Sequence, residues 1–258
     1  MKSVETLLKS GRIVLFSGTP CQVAGLKLFL RKEYDNLYLI DIVCHGVPSP
    51  KIWNMYLDEI TGGNTNKISS INFRDKSTGW SNYSVKITCN NKTIKQKYQD
   101  HPYMQLFLND FNIRPCCYIC HFKNHKSFAD LTIGDYWGIN NIQNFTNDDT
   151  GVNLVMVRTV KGLQLIKNKD NLLVKQTNSN LLFQNAIYHS ATIRVNRNVL
   201  WKYLKKDGVI KTRNRYKLSV PYKQSATLYF VERIINKISK NKTLYNKIIK
   251  LYFSNNRS

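Results

Sequence analysis

The 258-residue chain predicts an α/β fold: a parallel βαβ core, an antiparallel insertion and a basic α-helical C-terminal extension. Three observations predict it. Two short apolar runs, residues 12–17 and 37–43, flank a helical pattern over residues 20–32, and a strand–helix–strand unit of that length places its strands in parallel. Residues 68–73, 83–88 and 93–98 alternate in polarity, with Asn90-Asn91 as a hairpin turn between the last two. From about residue 194 the composition turns basic and helical: seventeen Lys or Arg stand against Asp207 and Glu232 only.

The elements follow in order. Residues 3–10 read as a short helix. Residues 12–17 read as a buried strand that ends at Gly18. Thr19 suits the N-cap of the next helix and Pro20 its first position. Asp35 and Asn36 mark the turn into the second strand. After the loop 45–50, Ser49 caps a helix that begins at Pro50 and stops before Gly62-Gly63. Residues 101–109 form a helix ahead of a cysteine-rich loop. A strand at 131–133, a polar loop at 140–150, a strand at 151–157, a helix at 161–169 and a strand at 172–174 complete the core. These readings divide the chain into a domain at 1–190 and a basic helical extension at 191–258. In the extension, Leu228, Val231, Ile235, Ile238, Ile248 and Tyr252 recur at helical spacing. Such a helix either lies on an anionic membrane surface or packs on its own domain with a solvated basic face.

The net charge of +23 favours anionic partners, although a chain this rich in Lys, Asn and Ile also reflects AT-rich coding. Nucleic acid is not among the expected partners. There is no run of about 18 apolar residues and no signal-peptide core, so the expected compartment is the cytoplasm. In a reducing compartment, clustered cysteines point to metal or redox chemistry rather than disulfides. No Ser-His-Asp arrangement, P-loop or paired carboxylate stands out.

Three of the six cysteines, Cys116, Cys117 and Cys120, fall within five residues. Four chemistries suit them. Cys117-x-x-Cys120-His121 has the c-type haem pattern, which calls for export. A thioredoxin-type pair should open a helix after a strand, but this pair follows Arg114-Pro115 in a loop. Cys116, Cys117, Cys120 and His121 or His125 could hold zinc, although the second CxxC of a ribbon is absent. The fourth is a [4Fe–4S] cluster held by Cys21, Cys44, Cys117 and Cys120. Cys21 and Cys44 each follow a strand of the βαβ unit, and the carboxyl ends of parallel strands face one crevice. Cys89 reads as a bystander.

Five segments carry a resemblance: Gly18-Thr19-Pro20-Cys21-Gln22-Val23-Ala24-Gly25-Leu26-Lys27; Asp41-Ile42-Val43-Cys44-His45-Gly46-Val47-Pro48-Ser49; Phe73-Arg74-Asp75-Lys76; Arg114-Pro115-x-Cys117-Tyr118-x-Cys120; and Ala129-Asp130-x-x-x-Gly134-Asp135-x-Trp137-Gly138. In this order they resemble the coenzyme F420 hydrogenase/dehydrogenase beta-subunit family, in its C-terminal domain. The resemblance implies an iron–sulfur, flavin-linked electron-transfer oxidoreductase module. Its cofactors would be a [4Fe–4S] cluster and FAD, and its partner a redox protein, a flavin or a deazaflavin. Cys21, Cys44, Cys117 and Cys120 stand at the motif cysteines, with Cys116 a spare. Gly18 and Thr19 are expected beside the cofactor, and Lys27 and Arg74 are candidate phosphate anchors. Relatives carry a cysteine-rich, flavin-associated region ahead of the Gly-Thr-Pro-Cys motif, which here begins at residue 18, so that region is expected to be missing. The competing expectations are a zinc-stabilised basic binding protein and an inactive fragment.

Overall fold

The computed structural model describes residues 1–139, 148–167, 174–177 and 184–218. The chain opens with α1 (Lys2–Lys9), β1 (Val14–Gly18), α2 (Pro20–Leu30) and β2 (Leu37–Ile42). β1 and β2 pair in parallel, from Val14 opposite Leu37 to Gly18 opposite Asp41. β1 starts two residues later than the apolar run, because the ladder begins where the Val14 N–H donates to the Asn36 carbonyl at 2.8 Å. Asn36 also donates from its side chain to the Leu8 and Arg12 carbonyls, tying the turn to α1. α2 stops at Leu30 rather than Lys32 because Arg31 takes the left-handed conformation, φ 57°.

Next come α3 (Pro50–Thr61), β3 (Ile68–Asp75), β4 (Ser84–Cys89), β5 (Lys92–Lys97) and α4 (Pro102–Leu108). Pro50 opens α3 and Gly62, φ 60°, closes it, as the capping residues predict. β3, β4 and β5 form a separate antiparallel sheet. Asn90 and Asn91 both have positive φ, the conformation that matches a two-residue turn to the twist of its strands. A 3-10 turn, Pro115–Ile119, carries the cysteine loop into β6 (Leu131–Asp135). β7 (Asn153–Val157), α5 (Val160–Ile166), α6 (Asn185–Tyr188) and α7 (Arg197–Arg215) complete the described elements.

The first sheet has the order β1-β2-β6-β7, with β2 and β6 parallel and β6 and β7 antiparallel. The βαβ unit therefore extends into a mixed sheet. Asp130, just before β6, binds it together. One carboxylate oxygen accepts from the Leu39 N–H at 2.8 Å and the other from the Thr159 hydroxyl at 2.6 Å. Val23, Leu26 and Leu30 of α2 pack on Leu37 and Leu39 of β2, with Leu8 and Ala129. Away from α2, the adjacent strands present Ile42, Ile133 and Val155 in one row, each more than a third exposed.

A second core joins α3, α4, β4 and α7 through Ile52, Tyr56, Val85, Leu106, Leu200, Leu204 and Val209. Within the basic stretch expected as an extension, Leu200, Leu204 and Val209 thus lie in this core, and one compact unit runs from Met1 to Leu218. α7 breaks at Gly208, φ 78°, where Glu59 of α3 accepts the Val209 N–H at 2.7 Å and the Ile210 N–H at 3.2 Å. A carboxylate 150 residues away in sequence therefore caps the second half of the helix. The apolar periodicity at 228–252 and most of the strand expected at 172–174 lie outside the described residues. No helix among the described residues is long and apolar enough to cross a membrane.

Candidate cysteine site

Cys21, Cys44, Cys117 and Cys120 all line one cavity of about 60 Å³ at the carboxyl edge of β1 and β2. Cys21 opens α2, Cys44 follows β2, and Cys117 and Cys120 come from the 3-10 turn and its end. Strand pairing brings the first two together. The isolated bridge between Pro48 and Ile113 brings the cysteine loop alongside. All six cysteines are free thiols. Cys89 and Cys116 do not line the cavity.

The loop after Cys44 wraps the second pair. The Val47 N–H points at the Cys117 sulfur, 3.4 Å away, and the Gly46 N–H donates toward Cys44. Gly46 fits because a Cβ there would lie 2.8 Å from Ile113 Cγ2, and Ile113 is fully buried. Gly134 allows a similar approach: a Cβ there would stand 2.9 Å from Val43 Cγ2, one residue before Cys44.

Burial pushes the Cys44 thiol up; the Lys123 ammonium opposes this, while the Cys117 and Cys21 sulfurs add to it. Burial also raises Cys117, reinforced by Cys116 and Cys120 and opposed by the Val47 N–H. Burial and the neighbouring sulfurs thus disfavour the anions of Cys44 and Cys117, and a positive charge shared between them would favour those anions. Lys123 is held at the wall by the carbonyls of Cys44 and Ala186.

The lining is mostly apolar but includes buried ionisable side chains. Asp41 is fully buried; one of its carboxylate oxygens accepts from the Ser127 hydroxyl at 2.6 Å, and the other has no hydrogen-bond partner among the described residues. Arg158 donates to Thr132 Oγ1 at 3.0 Å and to the His125 carbonyl, and burial lowers its pKa. Beside Cys44, His45 pairs with Asp110 at 2.9 Å. Sequence reasoning passed over Asp41, Lys123 and Arg158. Asp41 did carry a signal, a lone carboxylate inside an apolar strand. Lys123 and Arg158 carried none among 39 basic residues.

The remaining expected residues divide. Thr19 lies at the rim, its hydroxyl 3.1 Å from the Cys21 sulfur and 3.1 Å from Gln22 Oε1. Gln22 Oε1 also accepts the Thr19 N–H at 2.9 Å. Gly18 precedes it, where a Cβ would come within 3.0 Å of Gln22 Oε1. Lys27 lies two turns along α2, paired with Glu33 at 2.9 Å. Arg74 does not line the cavity. It pairs with Asp135 at 2.6 Å, and its guanidinium lies over Tyr83 and Trp137. Asp135 also accepts from Trp80 Nε1 at 3.2 Å, and Trp80 stacks on Trp137 at 4.6 Å between ring centres. Tyr118 donates its hydroxyl to the Asp110 carbonyl.

A family model described as the C terminus of the beta subunit of coenzyme F420 hydrogenase/dehydrogenase matches residues 11–179. The chain belongs to this family. All five motif segments and all four cavity cysteines fall inside the matched stretch. No curated protein matches. Among solved structures, a chain of the xenon-derivatised F420-reducing [NiFe] hydrogenase complex from Methanosarcina barkeri is similar, at 10% identity and a TM-score of 0.38. The match covers 83% of this chain and 64% of that one, so the chain spans less than two thirds of the length of its structural neighbour.

Proposed function

We propose that this chain is a cytoplasmic iron–sulfur electron-transfer module in which Cys21, Cys44, Cys117 and Cys120 hold a [4Fe–4S] cluster and serve a flavin- or deazaflavin-linked oxidoreductase. The observation that carries the reading is the convergence of four thiols, from three separated segments, on one small cavity. The donor set fits: four free sulfurs and two main-chain N–H groups turned toward sulfur, with Asp41 the one carboxylate in the lining. A cavity of about 60 Å³ accepts a compact inorganic group and not a flavin ring, since small-molecule pockets run to about 300 Å³ and more. Among the described residues, no three His, Cys, Asp or Glu side chains are grouped to hold a single metal ion. A cluster spreads its ligands wider than one tetrahedral ion, because each thiolate binds its own iron.

When bound, the group supplies one-electron transfer. The chain's own residues set its conditions. The Val47 and Gly46 N–H groups stabilise thiolate charge at Cys117 and Cys44. Lys123 places a cation at the wall. The α2 amino terminus, entered through Gly18 and Thr19, offers main-chain N–H groups at the rim toward sulfur or a phosphate. FAD belongs outside the cavity, with Lys27, which lines the adjoining groove, as a proposed anchor. Arg74 is committed to Asp135, and the reading does not depend on it.

The test is anaerobic purification with iron and acid-labile sulfide analysis. The expected result is about four of each per chain, with visible absorption that bleaches on reduction. A colourless protein holding one zinc per chain would overturn the reading.

A further inference from the structure

The solvent face of α2 runs outward from the cysteine site. Cys21 opens the helix, and Leu28, seven residues on, lies on the same face about 10 Å along the axis. Leu28 is 78% exposed, and Phe128 beside it 55%. They share a groove with Lys27, Arg31, Lys32 and Lys126, and only Glu33 opposes those cations. The groove meets the cysteine cavity, since Phe122, Lys126 and Ser127 line both. Glu33 offsets Lys27 through a pair whose carboxylate is 83% exposed, which solvent leaves weak. Among the described residues, neither Arg31 nor Lys126 pairs with a carboxylate.

We propose that this surface is the docking face for an acidic electron-carrier protein, which would seat an apolar centre on Leu28 and Phe128 and ring it with carboxylates facing Arg31, Lys32 and Lys126. The proposal rests on the redox reading of the neighbouring thiols. Charge complementarity selects the partner's sign, and a protruding leucine and phenylalanine inside a basic rim match the apolar-centre, polar-rim layout of protein interfaces. The groove holds about 950 Å³, room for a small molecule as well, and the FAD arm of the experiment reads that occupant. A partner seated on Leu28 stands about 10 Å along α2 from Cys21, so electrons would pass between its redox centre and the group held by the four thiols.

The experiment titrates the full chain, as purified, with an acidic ferredoxin, reading affinity by calorimetry at two salt concentrations. A basic cytochrome of similar size serves as control. The expected result is ferredoxin binding that weakens with salt, with no cytochrome binding. Arg31→Glu/Lys126→Glu should weaken it about tenfold or more, and Leu28→Asp should also weaken it. Lys51→Glu/Lys92→Glu, an equal charge change elsewhere, should leave it within about twofold. Equal losses in both double variants would reduce the effect to net charge and overturn the proposal. So would groove-dependent binding of phosphatidylserine vesicles or FAD without ferredoxin binding. Iron and sulfide analysis of the same samples separates the two readings: binding at the groove by a protein without a cluster keeps the surface and rejects the redox assignment.

Discussion

Replacing Gly46 with alanine tests the packing that joins the two halves of the cysteine site. The added methyl would lie 2.8 Å from Ile113 Cγ2, 3.1 Å from Ile113 Cδ1 and 3.5 Å from Cys117 Cβ. Ile113 cannot swing away: it is fully buried, bridges to Pro48, and its carbonyl accepts from Arg197 at 3.0 Å. Overpacking of this kind costs about 1–3 kcal/mol. The backbone adds to it, since Gly46 has φ +155°, an angle that side-chain-bearing residues rarely adopt, at about 1–2 kcal/mol. Gly46→Ala should therefore lose about 2–5 kcal/mol in urea unfolding of the metal-free protein, with the Val47 N–H drawn off Cys117. A double-mutant cycle separates the two causes. Ile113→Ala alone leaves a cavity costing about 2–5 kcal/mol, and the Gly46→Ala methyl partly fills it. The double variant should thus be about 1–2 kcal/mol more stable than the sum predicts, while the backbone cost remains. Additivity within about 0.5 kcal/mol would refute the steric argument. Wild-type stability of Gly46→Ala would refute both.

Four other outcomes follow from the same geometry. Cys44→Ser and Cys117→Ser should each lose most bound iron in anaerobic preparations, while Cys89→Ser and Cys116→Ser keep it. In metal-free protein near pH 8, iodoacetamide should label exposed Cys116 and Cys21 well before Cys44, whose thiol is half-shielded and pushed up by burial, as peptide mass mapping would record. His101, 1% exposed at the start of α4, has its pKa lowered from 6.5 to about 4 by burial. The unfolded chain therefore takes up the proton first, so stability is full above pH 6.5 and falls as pH drops toward 4, by at most about 3 kcal/mol. His101→Asn keeps an acceptor for the Met104 N–H and should flatten that slope in denaturation curves between pH 4 and 6.5. Glu59→Ala should cost about 1–2 kcal/mol in thermal or urea unfolding, since it removes the cap from the second half of α7.

Much of this fold is legible locally. Thr19, Pro20, Ser49, Pro50 and Gly62 bound their helices because capping and φ restriction act within a few residues. Asn90-Asn91 sets its hairpin in the same way. The placement of Cys21 and Cys44 at strand ends follows from apolar runs and the handedness of βαβ units. What escaped was pairing at long range. Arg74 reads as a candidate phosphate anchor, and the fold pairs it with Asp135, 61 residues away, under Trp137. The basic stretch after residue 194 reads as an appendage, yet Leu200, Leu204 and Val209 belong to the α3–α4 core. Its charge pattern could not reveal that a helix breaking at Gly208 would find its cap in Glu59.

Element identity and turn positions were already determined by the order of residues along the chain. They depend on periodicity, capping and the chirality of L-amino acids, all of which act between near neighbours. Only the tertiary structure decided that the Cys117/Cys120 loop closes over the strand ends, that Asp41, Lys123 and Arg158 wall the cavity, and that Leu28 stands among cations beside it. Those arrangements depend on which distant segments meet. That choice is made by packing of the whole core, since no short stretch of chain contains both partners.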